Sequence, residues 1–254
     1  MRQILFQLDA EEPACFIFGA GSFYGLSNRP KEGDLVIAAD GGLLYLSKLG
    51  ISPNILLGDF DSLEENAPQG KAEPQEKTAL HKNAELPLAG GESGACDCRE
   101  NANCPETPEI ERLPVIKDRS DSAAAIAEGK KRGFRRFYLY GCTGGRLDHT
   151  VATLQDIATL SKEGMEAYLF SEQEVFTAVT DCRMNFPEGM KGTVSVFSHS
   201  DRSEGVDESG FLYTVADHVL TNDFPLGLSN SFTRIPASLA VRKGTLLVSV
   251  ELEK

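Results

Sequence analysis

Hydrophobic positions in the first 160 residues follow two alternating patterns. Short apolar runs at 14–18 (ACFIF), 34–39 (DLVIAA), 54–57 (NILL) and 135–140 (RRFYLY) predict strands, with a further one at 113–116. GGLLYLSKL at 41–49 predicts a short helix closed by Gly50 and Pro53. Residues 120–131 are Ala-rich and helical. Across 146–162, Leu147, Val151, Leu154 and Ala158 repeat at the i, i+4, i+7, i+11 spacing of an amphipathic helix. Strands alternating with helices predict parallel βαβ units with right-handed crossovers. Beyond about residue 165 the pattern changes. Segments 167–170, 175–179, 193–197, 211–215 and 246–252 are β-like, and Arg242-Lys243-Gly244 reads as a hairpin turn. The predicted fold class is therefore α/β: an N-terminal Rossmann-like parallel-sheet domain (1–164) followed by an all-β sandwich domain (165–254).

Residues 64–112 interrupt this pattern. They contain no aromatic residue and no Val, several prolines, and 11 acidic against 5 basic residues. Such a composition buries too little apolar surface to offset chain entropy, so it predicts an irregular acidic insert. Three of the six cysteines, Cys96, Cys98 and Cys104, lie within it as C-x-C-x5-C with His81 upstream. Zinc sites use C-x2-4-C pairs, so reduced thiols are the better expectation. Cys15 and Cys142 sit in apolar runs and read as small buried hydrophobes.

The insert holds a net charge of -6 out of the chain's -13. An acidic chain is repelled by nucleic-acid phosphates, which argues against nucleic-acid binding. No apolar run approaches the roughly 20 residues of a membrane span. The opening MRQILFQLDAEE has neither an h-region nor a cleavage site. The expectation is a cytoplasmic protein with no membrane partner.

The chemistry concentrates after the predicted strands, where ligands bind in open α/β sheets. Those tips read Asp40-Gly41-Gly42, Gly58-Asp59-Phe60-Asp61-Ser62, Lys117-Asp118-Arg119-Ser120-Asp121 and Gly141-Cys142-Thr143-Gly144-Gly145-Arg146-Leu147-Asp148-His149. Each Asp has a structural alternative; Asp118, for instance, could cap the helix with Asp121 in the capping-box position. Jointly, six clustered carboxylates raise one another's pKa unless a cation is present. Carboxylates without accompanying His or Cys suit Mg²⁺, which shares its shell with phosphates. Gly41-Gly42 and Gly144-Gly145 open helices, where free N–H groups favour anions. Arg146 and His149 share a helical face and could reach a polyphosphate, and Lys117 adds a cation. No P-loop or G-x-S-x-G elbow occurs, and Gly19-Ala20-Gly21-Ser22 reads as a plain glycine turn.

These residues resemble the thiamine pyrophosphokinase (thiamine diphosphokinase) family. The resemblance rests on ADGG at 39–42, GISPNILLGDFDSL at 50–63, KDRSD at 117–121, GCTGGRLDHT at 141–150, GFLY at 210–213 and LGLSNSF at 226–232. It implies an α/β domain joined to a β-sandwich, a homodimer with sites between subunits, and transfer of pyrophosphate from ATP to thiamine. It implies further that Asp40, Asp59, Asp61, Asp118, Asp121 and Asp148 form the Mg–ATP site. Asp59, Asp61, Asp118 and Asp121 would hold the metal, Arg146 and His149 would contact phosphates, and Ser229 and Asn230 would lie near thiamine. Ser120 stands where the family usually has Thr, and Thr153 where Asn is common. The chain has no Trp, so Phe232 or Tyr213 would supply the aromatic partner of thiamine. The rival readings are a pyrophosphokinase acting on a hydroxymethyl-pterin, a non-catalytic thiamine or nucleotide sensor, and a protein-interaction β-domain with the insert as docking tail.

Overall fold

The structure, a computed structural model, describes residues 1–58, 109–112 (as a strand) and 120–252. Among them a ten-stranded sheet holds, edge to edge, β13 (Gly227–Ser231), β10 (Thr193–Ser198), β15 (Thr245–Glu251), β8 (Glu174–Thr180), β7 (Glu166–Phe170), β6 (Arg136–Tyr140), β2 (Cys15–Phe18), β3 (Leu35–Ala39), β4 (Ile55–Gly58) and β5 (Glu109–Arg112). From β7 to β5 every pairing is parallel; from β7 to β13 every pairing is antiparallel. A second sheet has the order β1 (Arg2–Leu5), β9 (Cys182–Phe186), β14 (Ala237–Lys243), β11 (Arg202–Ser209), β12 (Val215–Thr221).

Alternation along the strands assigns the two faces of the large sheet. Cys15, Ile17, Leu35, Ile37, Phe137 and Leu139 face the helices α2 (Asp121–Lys131) and α3 (Leu147–Lys162), meeting Ala125, Ile126, Ile157 and Leu160. Phe16, Phe18, Val36, Tyr138 and Tyr140 face the other way, toward α1 (Gly42–Leu49) and the five-stranded sheet. There Tyr140 stacks on Phe170 at 4.3 Å between ring centres.

The expected fold class is overturned. Fifteen strands against three helices among the described residues make the protein mostly β. The sheets are mixed: the parallel strands continue without a break into antiparallel ones, and β1 leaves the first half of the chain to pair, in parallel, with β9. A Rossmann-like sheet standing by itself is not what forms. Local periodicity specifies a strand but not which sheet it joins; that depends on partners far along the chain.

Smaller expectations change for similar reasons. Arg242-Lys243-Gly244 is no hairpin, because β14 and β15 lie in different sheets. It is a corner tied to a second one at Asp181, whose Oδ1 accepts from the Gly244 N–H at 2.7 Å. β5 occupies the last four residues of the segment expected to be irregular. Residues 113–116 lie outside the described residues. The expected strand at 211–215 is instead a bend with an isolated bridge at Phe211 and a strand resuming at Val215. On α3, Leu147 and Val151 are 76% and 47% exposed, while Thr153, Ile157, Ala158, Leu160 and Ser161 are buried. The helix packs on β7, β8 and β15 through its later turns, and its first turns line a cavity instead.

Candidate active site

β2 is flanked by β3 on one side and β6 on the other, and the chain leaves these strands in opposite directions across the sheet. Such a switch point opens a crevice beyond the carboxyl ends of the strands. Here it is a cavity of about 260 Å³, lined by the exits of β2, β3 and β6 and by the first turns of α2 and α3.

Backbone bonds shape its walls. The exits of β2 and β6 are zipped together: the Gly19 N–H donates to Tyr140 O at 2.8 Å, Gly21 to Gly141 O at 2.6 Å, and Ser22 to Thr143 O at 2.8 Å. Ser22 Oγ then donates to Gly144 O at 2.6 Å, and Tyr45 Oη to Gly21 O at 2.6 Å. Gly144 has φ 72, and a Cβ there would collide with Ser22 and Tyr24. The glycine turn after β2, expected to be plain, is one side of the site. Its signal was the position of GAG directly after an apolar strand.

Asp40 ends β3 at φ 47, a left-handed conformation that Asp tolerates better than most residues. Its N–H donates to Leu57 O at 2.9 Å, and its Oδ1 is buried. A Cβ on Gly58 would fall on that oxygen, so only glycine at 58 leaves space for this carboxylate. The next residue, Gly41, is the N-cap of α1, with no side chain capping the helix. α2 is capped by Ser120, whose Oγ accepts from the Ala123 N–H at 3.2 Å. Asp121 lies in the first turn and lines the cavity with Ser120 and Ser122.

At the start of α3, Arg146 and Asp148 form a two-pronged pair, Nη2–Oδ2 at 2.6 Å and Nε–Oδ1 at 3.2 Å. Hydrogen bonding and charge from the guanidinium hold the Asp148 carboxyl below the usual range. Both side chains are exposed, so the pair is readily exchanged for another partner. His149, Thr150 and Thr153 face the cavity from the same helix. The Cys142 thiol in the wall is pushed up to about 12, chiefly by burial and further by Asp156, so it is no thiolate near neutral pH. Burial also raises the Asp156 carboxyl.

Of the residues singled out in the sequence, Asp40, Asp121, Gly145, Arg146 and His149 line one cavity; Gly41, Gly42, Gly144 and Asp148 adjoin it. Asp59, Asp61, Lys117 and Asp118 lie outside the described residues. Ser120, Thr143 and Thr150, quoted in the motifs without a role, also line the cavity, as does Ser122, which the motifs do not include. Ser229 and Asn230 are elsewhere, on edge strand β13. Five strand spacings separate β13 from β6, roughly 24 Å along the sheet. Around them Leu212, Tyr213, Phe224, Leu226, Leu228 and Ile235 are large and exposed. Phe232, in contrast, is packed among Phe186 and Phe211 and cannot offer a face to a ligand.

A crevice with helix N-termini, acidic side chains and an arginine at a switch point has the chemistry that suits a phosphate compound. The family described as thiamin pyrophosphokinase, catalytic domain, matches residues 96–169, which include α2, β6 and α3. The structure resembles thiamine pyrophosphokinase from Bacillus subtilis with a TM-score of 0.71 at 19% identity, covering 95% of this chain and 100% of that one. It resembles the yeast enzyme with a TM-score of 0.67 at 12% identity over 99% and 91% of the two chains. For the thiamin pyrophosphokinase from Candida albicans the TM-score is 0.65 at 10% identity, over 94% and 90%. No curated protein matches the sequence. The matched segment is similar to that family's catalytic domain, and the fold is the one these solved structures share.

Proposed function

We propose that the chain is a thiamine diphosphokinase that transfers the pyrophosphoryl group of ATP to the hydroxyl of thiamine, giving thiamine diphosphate and AMP. The observation that carries this reading is the gathering of Asp40, Asp121, Arg146 and His149 at one switch-point crevice, three of them inside the family-matched segment. In this reading residues 1–164 bind ATP and residues 165–254 bind thiamine.

The donor chemistry suits Mg²⁺: Asp40 and Asp121 bring hard carboxylate oxygens to the cavity, beside the Ser120 and Ser122 hydroxyls. With Asp59, Asp61 and Asp118 they would hold the ion, which when bound neutralises phosphate charge. Gly41, Gly42, Gly144 and Gly145 would offer N–H groups to the phosphates, and Lys117 would add a cation. Arg146 leaves Asp148 for the phosphate chain and, with His149, holds it for in-line attack. The thiamine oxygen forms a bond to the β-phosphorus as the bond from that phosphorus to the bridging oxygen breaks. AMP leaves with that oxygen, and a carboxylate of the cluster takes the hydroxyl proton. Catalysis of this kind rests on positioning and charge rather than on a covalent intermediate.

Ser229, Asn230 and the exposed Tyr213 ring form the thiamine side. Their distance along the sheet from the crevice, and the exposed apolar residues around them, support a homodimer in which one subunit's thiamine side meets the other's ATP side. Among the described residues no helix is long and apolar enough to cross a membrane; a cytoplasmic location remains part of this proposal. Incubation with ATP, Mg²⁺ and thiamine should yield AMP and thiamine diphosphate in equal amounts. Formation of ADP, or AMP that does not depend on thiamine, would overturn the assignment.

A further inference from the structure

Asn230 is buried, and its side-chain amide is fully occupied. Its Oδ1 accepts from the Tyr213 N–H at 3.0 Å and the Ser231 N–H at 2.9 Å. Its Nδ2 donates to Tyr213 O at 2.7 Å and to Glu208 Oε2 at 3.0 Å. An amide offers two acceptor and two donor positions, so none is left for a ligand. The backbone of Tyr213 is thereby clamped on both its N–H and its C=O, while the Tyr213 ring stays 68% exposed.

Glu208 lies beneath this clamp. It stands on β11, 5% exposed, with no ion pair among the described residues. A buried carboxyl without a cation is a costly choice for packing alone. What it does supply is the acceptor for the second Nδ2 proton, which completes the set of partners that holds the Asn230 amide in place.

We infer that Glu208 is a positioning residue for thiamine: it orients Asn230, which holds the Leu212–Tyr213 segment and so presents the Tyr213 ring to the substrate. This rests on the thiamine assignment above. Asn230 then acts on the substrate through Tyr213 rather than by touching it.

The test is steady-state kinetics on the full chain, with thiamine and ATP varied separately, for the unaltered protein, Glu208→Met, Glu208→Gln and Asn230→Asp. Glu208→Met leaves a buried amide N–H without its acceptor and should raise the KM for thiamine about tenfold. The KM for ATP should stay within about twofold, because the crevice is untouched. Glu208→Gln keeps a carbonyl acceptor and should restore the thiamine KM to within about twofold of the unaltered protein. A folded Met variant with unchanged thiamine KM overturns the inference. So does a Gln variant as impaired as Met, or an equal rise in both KM values. If the Met variant does not fold, Asn230→Asp, which cannot donate to Tyr213 O, carries the test and should show the same selective rise. An unaltered protein that makes no thiamine-dependent AMP overturns the reaction and this inference with it. Normal turnover with an unmoved thiamine KM in the variants overturns the inference alone.

Discussion

The crevice at the ends of β2, β3 and β6 and the corner around Asn230 are built by opposite means. In the crevice, backbone bonds between the turns at Gly19–Ser22 and Gly141–Gly144 make the frame, and carboxylates, hydroxyls and helix N-termini line the open space. Around Asn230, side-chain bonds make the frame, the polar groups are spent inside it, and apolar side chains are left facing out. A frame of backbone leaves charge for a phosphate and its cation. A frame of saturated side chains leaves surface for an organic ring or another copy of the chain.

The contrast is sharpest in what each region tolerates. Replacing Asp40 or Asp121 with Ala should lower turnover by about 10²–10³-fold, the scale of losing one preorganised charge-stabilising group. Circular dichroism should show the fold retained. Loss of the fold, or turnover near that of the unaltered protein, would mean that these carboxylates are structural. A smaller effect is expected at the other region. Leu228 is 58% exposed, and Leu228→Asp should shift the solution mass toward the monomer and weaken turnover about tenfold. Light scattering that finds the same mass in both proteins would overturn the proposed dimer contact at Leu228.

The smallest effect separates charge from hydrogen bonding at the buried corner. Burial raises the Glu208 carboxyl, and its bond from Asn230 offsets this only in part. The unfolded chain loses this proton near pH 4, and the folded chain loses it at higher pH. Stability from this group is therefore complete below about pH 4 and falls as pH rises through the folded value. Gln does not ionise, so the stability of Glu208→Gln relative to the unaltered protein should grow from pH 4 to pH 7. Equal differences at both pH values in urea unfolding would show that the carboxyl does not change charge there.

Elements with strong local signals were legible. α1 and α2 begin and end within a residue of their expected bounds, because Gly50 stops one in the left-handed conformation and Ser120 caps the other. Strand β11 was not legible: its inward positions include Ser203 and Glu208, and such a polar run reads as a loop until β12 and β14 are seen on either side. Gly58 was quoted as part of a motif, but its physical role, space for the Asp40 carboxylate, is visible only across two strands. Phe232 and Tyr213 looked equivalent as aromatic partners, and burial separates them.

What the sequence determined by itself is the list of strand tips and their chemistry. Asp and Gly after short apolar runs pointed to a metal–phosphate site, and six motifs in order pointed to one family, because local spacing is a property of the chain alone. Which strands share a sheet was decided only in three dimensions. β1 pairs with a strand some 180 residues away, β7 turns the parallel array into an antiparallel one, and β14 and β15 part at Gly244 into different sheets. Those choices maximise burial of both sheet faces at once, a global condition that no window of residues contains. The same condition fills Asn230 with partners and leaves Asp40 and Asp121 beside open space.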